Sequence, residues 1–327
     1  MKSTFLILLL IVITTAVTTA QNNTVAGSVK DAKGTPLRFV FVADAQYKNG
    51  AYSDSLGNFT IAVHPDSKLE FQLPGYKDTA MAVDKAGADM QVTLLGAGAN
   101  GSSGSVGTSS GAVSSQSLTT NEVAVESNSM GGYLKPAHEK GNTRGSQYTF
   151  ITFTHGYIIN SSGELVQKPN YLFDYDKMGG ILLLTKDNQH INAVSWDQTN
   201  SFVLFSNAGE RFEFEKVPAI DKSHYVQVLA SGKKYKVYKL IKTRFVKSDY
   251  VNNGVTAHGN DYDEYVDDAD YYVLDVQSNQ LQPLSLKKKS LKADFAKDAD
   301  KVNKYLSDNS GDIDDAYLGK LGAFMNN

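Results

Sequence analysis

Six glycines and eight serines occupy the 22 positions from 96 to 117, and this tract divides the 327-residue chain. A segment of that composition has nothing to bury, so no core can run through it. As a flexible coil it spans roughly 25 Å, from the 5–6 Å × √n rule for Gly-rich chains. The polar stretch that follows, as far as Gly145, keeps the same character. The expectation is a linker over residues 96–145 between two folded modules, 24–95 and 146–327. Each is long enough to bury a core of its own.

Those cores have no covalent help, because the chain contains no cysteine. Disulfides, thiol nucleophiles and Cys-based zinc sites are all excluded. Tyr (18) and Phe (15) are plentiful and Pro is scarce (7), which leans toward strands. A formal net charge of −3 is too balanced for a nucleic-acid partner. The first twenty residues read as a signal peptide. Lys2 gives the positive start, residues 5–13 form an apolar run, and Thr18 and Ala20 place small residues before a cut at Gln21. The run is too short for a membrane span, which needs about 20 apolar residues. No later stretch is long enough either, so the expectation is an exported protein: periplasmic, outer-membrane-associated or secreted.

Residues 24–95 alternate in short runs broken by turn residues. Strand-like text covers 24–30, 37–42, 57–63, 68–72 and 90–95, with a turn every eight to twelve residues, as in a β-sandwich. Val25, Gly27, Val29, Asp31, Gly34, Pro36 and Leu37 open this stretch. Asp54, Gly57 and Phe59 follow, and Gly75 and Tyr76 come after Leu69. With that spacing the segment resembles the carboxypeptidase-regulatory-like domain, a transthyretin-like sandwich of about seven strands. The resemblance implies a docking or spacer module of bacterial envelope proteins, with Phe59 pointing inward and no peptidase chemistry.

The second module continues in strand-like runs at 148–154, 180–185, 192–196, 201–206, 225–229 and 235–245. The period then changes. Phe295, Ala299, Val302, Tyr305 and Leu306 share one helical face, and Ile313, Ala316, Tyr317, Leu321 and Phe324 share another. The fold class expected is therefore mainly β, with a Gly/Ser linker and a second β-rich module that ends in two short helices. Residues 225–232 and 284–291 make this module resemble uncharacterised exported bacterial envelope proteins, a resemblance that implies no activity.

Catalytic signatures are missing from the sequence. None of the six histidines, at 64, 138, 155, 190, 224 and 258, has Glu three residues on, and only His258 has an acid there, Asp261. The Gly/Ser text near Gly101 has no strand–turn–helix setting for a nucleophile. One constellation stands out. Asp261, Asp263, Glu264, Asp267, Asp268 and Asp270 fall within ten residues that read as a loop. Lys233, Lys234, Lys236, Lys239, Lys242, Arg244 and Lys247 line the strand before it. The basic strand is expected to offset the acids; a calcium site of Asp261, Asp263, Asp267 and Asp268 is the alternative, with a spacing that fits no EF-hand. Tyr262, Tyr265, Tyr271 and Tyr272 read as an exposed aromatic cluster able to stack on sugars. No catalytic, cofactor or metal residue is assigned. The functional expectation is a non-catalytic envelope protein whose partner is another envelope protein or a surface polymer. An accessory glycan- or peptide-binding component of an outer-membrane uptake system is the alternative, and an unrecognised hydrolase comes third.

Overall fold

The computed structural model describes residues 23–83, 89–97, 143–188 and 190–327. The expected signal peptide with its cut before Gln21, His138, and residues 98–142 of the expected linker lie outside the described residues. The chain is mainly β, in two β-rich modules with short helices at its C-terminal end.

The first module holds β1 (Asn23–Asp31), β2 (Phe41–Asp44), β3 (Asn49–Tyr52), β4 (Asn58–Val63), β5 (Lys68–Gln72), β6 (Thr79–Ala82) and β7 (Asp89–Leu94). They make two sheets, ordered β4-β1-β7 and β3-β2-β5-β6, with only the β1–β7 pair parallel. Val25, Val29, Phe59 and Ile61 from the first meet Val42, Leu69 and Phe71 from the second in one core. Two Asp-x-x-Gly turns set the hairpins. Asp31 Oδ1 accepts from the backbone N–H of Lys33 and Thr35, and Asp54 Oδ1 does the same for Leu56 and Asn58. Gly34 and Gly57 close those turns at φ of 84° and 77°, a region costly for a residue with a Cβ.

The strand expected over 37–42 starts only at Phe41. Phe39 has φ of 59°, which bends the chain before the ladder begins. Residues 96 and 97 are still held by the module: Gly96 bridges Tyr76, and Ala97 N donates to Gly75 O.

The second module is built on a nine-stranded sheet. Its members are β8 (Thr143–Arg144), β9 (Gly156–Asn160), β10 (Leu165–Val166), β14 (Thr199–Phe205), β15 (Arg211–Glu215), β16 (Val226–Ser231), β17 (Tyr235–Val246), β20 (Asp263–Asp275) and β21 (Gln280–Leu284). The path runs β10-β9-β14-β15-β16-β17-β20-β21, with β8 added on β20. A smaller sheet of β11 (Leu172–Asp176), β12 (Ile181–Thr185) and β13 (Ile191–Ala193) packs Phe173, Tyr175, Leu182 and Leu184 against Ile158, Phe202 and Phe214 of the large one. A two-stranded pair, β18 (Val251–Asn252) and β19 (Ala257–His258), lies in the connection from β17 to β20.

Residues 148–154, read as a strand, run irregularly and bridge to β11 at Tyr148–Asp176 and Thr154–Phe173. The Asp174 carboxylate takes the Phe150 N–H, displacing the ladder there. Three helices close the chain instead of two: α1 (Lys288–Asp294), α2 (Ala299–Asp308) and α3 (Asp315–Asn326). Leu291 of α1, Val302 and Tyr305 of α2, and Leu318, Leu321 and Met325 of α3 bury against Ala230, Tyr235 and Val237 of the sheet. At about two turns, α1 is too short to show a helical period. Asn326 fixes the C-terminal end: its side chain accepts from the N–H of Lys234 and Tyr235 and donates to Tyr235 O and Gly322 O.

Candidate functional site

All four residues of β2 are buried, which a strand in a two-sheet sandwich achieves only if its outer face is also covered. Val42 points into the sandwich core, while Phe41 and Ala43 point the other way. There they join Tyr157 of β9, Leu165 of β10, and Val203 and Phe205 of β14 in a core shared by both modules. Gly50 permits the close approach, since a Cβ there would lie 2.8 Å from the Phe41 ring and 3.2 Å from the Tyr157 ring. The Tyr52 hydroxyl ties the modules by donating to Gly156 O (3.3 Å) and accepting from Gln167 Nε2 (2.9 Å). Burial raises the Tyr52 phenol far above its ordinary pKa, so it stays a donor.

Beside this seam lies a cavity of about 290 Å³. Its walls carry Arg38, Phe39, Tyr52 and Gln72 from the first module and His155 and Gln167 from the second. The rings form a stepped stack. The Arg38 guanidinium sits 4.0 Å from the Phe39 ring centroid, Phe39 lies 4.4 Å from the His155 ring, and Tyr52 lies 5.0 Å beyond on the same imidazole. The bend at Phe39 aims that ring. A bulky residue at φ of 59° costs about 1–3 kcal/mol, a strain found most often at functional sites. Burial, with a smaller push from Arg38, takes His155 down to about 4, so its ring is neutral near pH 7.

Three atoms in these walls have no hydrogen-bond partner in the protein: Gln72 Nε2, Gln167 Oε1 and His155 Nδ1. Gln72 is 4% exposed and Gln167 1%. An unpaired buried polar group costs about 1–3 kcal/mol, and protein interiors leave few of them. All three belong to residues that line this one cavity.

The acidic run behaves differently from its reading as a loop. Residues 263–270 belong to β20, paired antiparallel with the basic β17. Successive side chains therefore alternate between the two faces of the sheet and do not converge. Among the described residues, no group of three His, Asp or Glu is placed to hold a metal ion. Among the basic residues of β17, Arg244 pairs with the acidic run, its Nε 3.0 Å from Asp268. Asp267 instead takes Lys177 (2.6 Å) and Thr243 (2.5 Å). Lys236, Lys239 and Lys242 pair with Glu215, Asp315 and Asp221.

The four tyrosines do not form one cluster. Tyr262 lies under Arg144, Tyr265 against Phe245, and the Tyr271 hydroxyl on Asp315, while Tyr272 joins the packing around Tyr238. Asp221, Ser223 and His224 do meet, but both Ser223 Oγ (3.0 Å) and Asp221 Oδ1 (3.1 Å) address the same His224 Nδ1. A proton relay needs the two on opposite ring nitrogens. Burial alone would raise Asp221, but bonds from Lys242, Ser223 and His224 outweigh it and hold the carboxyl well below its usual range.

No protein-family model matches this chain, and no curated protein matches it. Among solved structures, the Bacillus anthracis TIE protein is similar over 81% of this chain and 48% of its own, at 10% identity and a TM-score of 0.20. The chain spans about half the length of that neighbour, and a TM-score of that size carries no argument about fold or function.

Proposed function

We propose that this chain is a non-catalytic exported protein of the bacterial cell envelope, built to bind. In this reading the first module is a transthyretin-like sandwich of the carboxypeptidase-regulatory-like kind. Its seven strands in two sheets support that. The observation that carries the proposal is the double burial of β2. The sandwich uses its outer face to dock on the β-rich module, and the docked pair encloses the aromatic, carboxamide-lined pocket. A mere spacer has no use for such a pocket, so the cavity favours the accessory role: recognition of an envelope protein or surface polymer, as in an uptake system. Among the described residues no helix is long and apolar enough to cross a membrane, and export rests on residues 1–20. Cell fractionation with intact-mass measurement tests this reading. The protein should appear outside the cytoplasm with Gln21 as its first residue. Cytoplasmic material that keeps Met1 would overturn it.

A further inference from the structure

We infer that the seam pocket binds a single sugar ring, such as the end residue of a glycan chain. The inference rests on the proposal that this is a binding protein, and it names the ligand class for the same site. Size comes first. About 290 Å³ lies at the lower edge of small-molecule pockets, roughly 300–1,000 Å³, which suits one ring and not a chain.

The unpaired atoms then define the polar chemistry. Gln72 Nε2 offers a donor, Gln167 Oε1 an acceptor, and His155 Nδ1 either role according to its tautomer. A hydroxyl is donor and acceptor at once, so a ring carrying several can satisfy all three whichever way the imidazole is protonated. These atoms are closed off by their neighbours, so a guest reaches them only once the side chains turn.

The walls define the rest. Phe39, Tyr52, Pro74 and Pro169 give the cavity apolar walls for the C–H groups of a sugar. Among the described residues no carboxylate lines the cavity, and the one charge there is the exposed Arg38. A cationic guest is therefore disfavoured, whereas a neutral sugar or a uronic acid is accepted. Gln167 and His155 come from one module and Gln72, Phe39 and Tyr52 from the other, so the site exists only while the modules are docked.

The test is saturation-transfer NMR on the full chain with glucose, galactose, mannose, N-acetylglucosamine and glucuronate, and with short neutral peptides as a second arm. At modest ligand efficiency, a sugar of roughly a dozen non-hydrogen atoms binds with a Kd of about 2 mM. Gln167→Ala and Gln72→Ala should each weaken binding at least about fivefold. Because both residues are buried, Phe39→Gly serves as a second variant. Glycine suits the φ of 59°, so the fold is kept while an apolar wall of the cavity is lost, and binding should disappear. Glucuronate should lose affinity in Arg38→Ala while neutral sugars keep theirs. Saturation by none of the sugars, or binding unchanged in Phe39→Gly, overturns the inference and leaves the envelope proposal standing. Binding of peptides alone overturns it in favour of a peptide site. Conversion of a sugar during the experiment overturns the non-catalytic reading itself.

Discussion

Replacing His155 with Gln should make the protein less sensitive to mild acid. In the folded chain burial, aided by Arg38, holds the ring near a pKa of about 4, against about 6.5 when unfolded. As pH falls from 7 to 5 the unfolded chain takes up a proton that the native ring refuses, so the native state loses stability. For a fully shielded ring the linkage relation gives about 1.8 kcal/mol over that interval. The ring is partly open to solvent, which brings the expected loss to about 1 kcal/mol. Below pH 4 both states carry the proton and the loss levels off. Urea unfolding of the native protein and of His155→Gln, each at pH 7 and pH 5, measures it. Carboxylates titrate alike in both, so the double difference isolates His155. A double difference of zero, or one in which the native protein gains on the variant as pH falls, would refute the claim that the seam keeps this imidazole buried and neutral.

Two further outcomes follow from single side chains. Asn326→Ala strips two backbone N–H groups and two carbonyls of their partner. It should cost about 2–3 kcal/mol and lower the Tm by several degrees in calorimetry, and an unchanged Tm would contradict the view that this residue fixes α3 to the sheet. Asp267→Asn leaves Lys177, 10% exposed at its side chain, with a weaker partner, and should cost about 1–2 kcal/mol in urea unfolding. Asp268→Asn, in an exposed pair with Arg244, should cost less than about 0.5 kcal/mol, and equal effects would refute the distinction.

Strands β1, β4, β5 and β7 of the first module were legible from local signals: short apolar runs, and the Asp-x-x-Gly turns that follow β1 and precede β4; β3 and β6, four residues each, were not read as strands. The run from Phe39 to Ala43 held the clue to the seam as well. Alternation stops there, as it does in strands covered on both faces, but sequence alone does not say what covers the outer side. The rest of the site is non-local. Arg38, Gln72, His155 and Gln167 come from four separate segments, and only docking brings them together. Nothing local distinguishes Gln72 from an exposed strand residue, or His155 from a loop histidine. The acidic run misled for a related reason. Six acids in ten residues look like a loop, yet β20 holds five of them, all but Asp261, in a strand because Tyr271, Val273 and Leu274 anchor one end against the sheet and its helices. Phe39 is the remaining surprise, since its positive φ contradicts its own residue type and is sustained by the rings packed around it.

The central claim is that the two modules are one docked unit. It is tested most directly by placing a specific protease site within residues 98–142 of the full chain, cutting it, and following the product by sedimentation velocity. Docking through Phe41, Tyr157 and Phe205 predicts that the two fragments travel together at micromolar concentration, at nearly the sedimentation coefficient of the uncut chain. Two separate boundaries at the masses of the individual modules would contradict it.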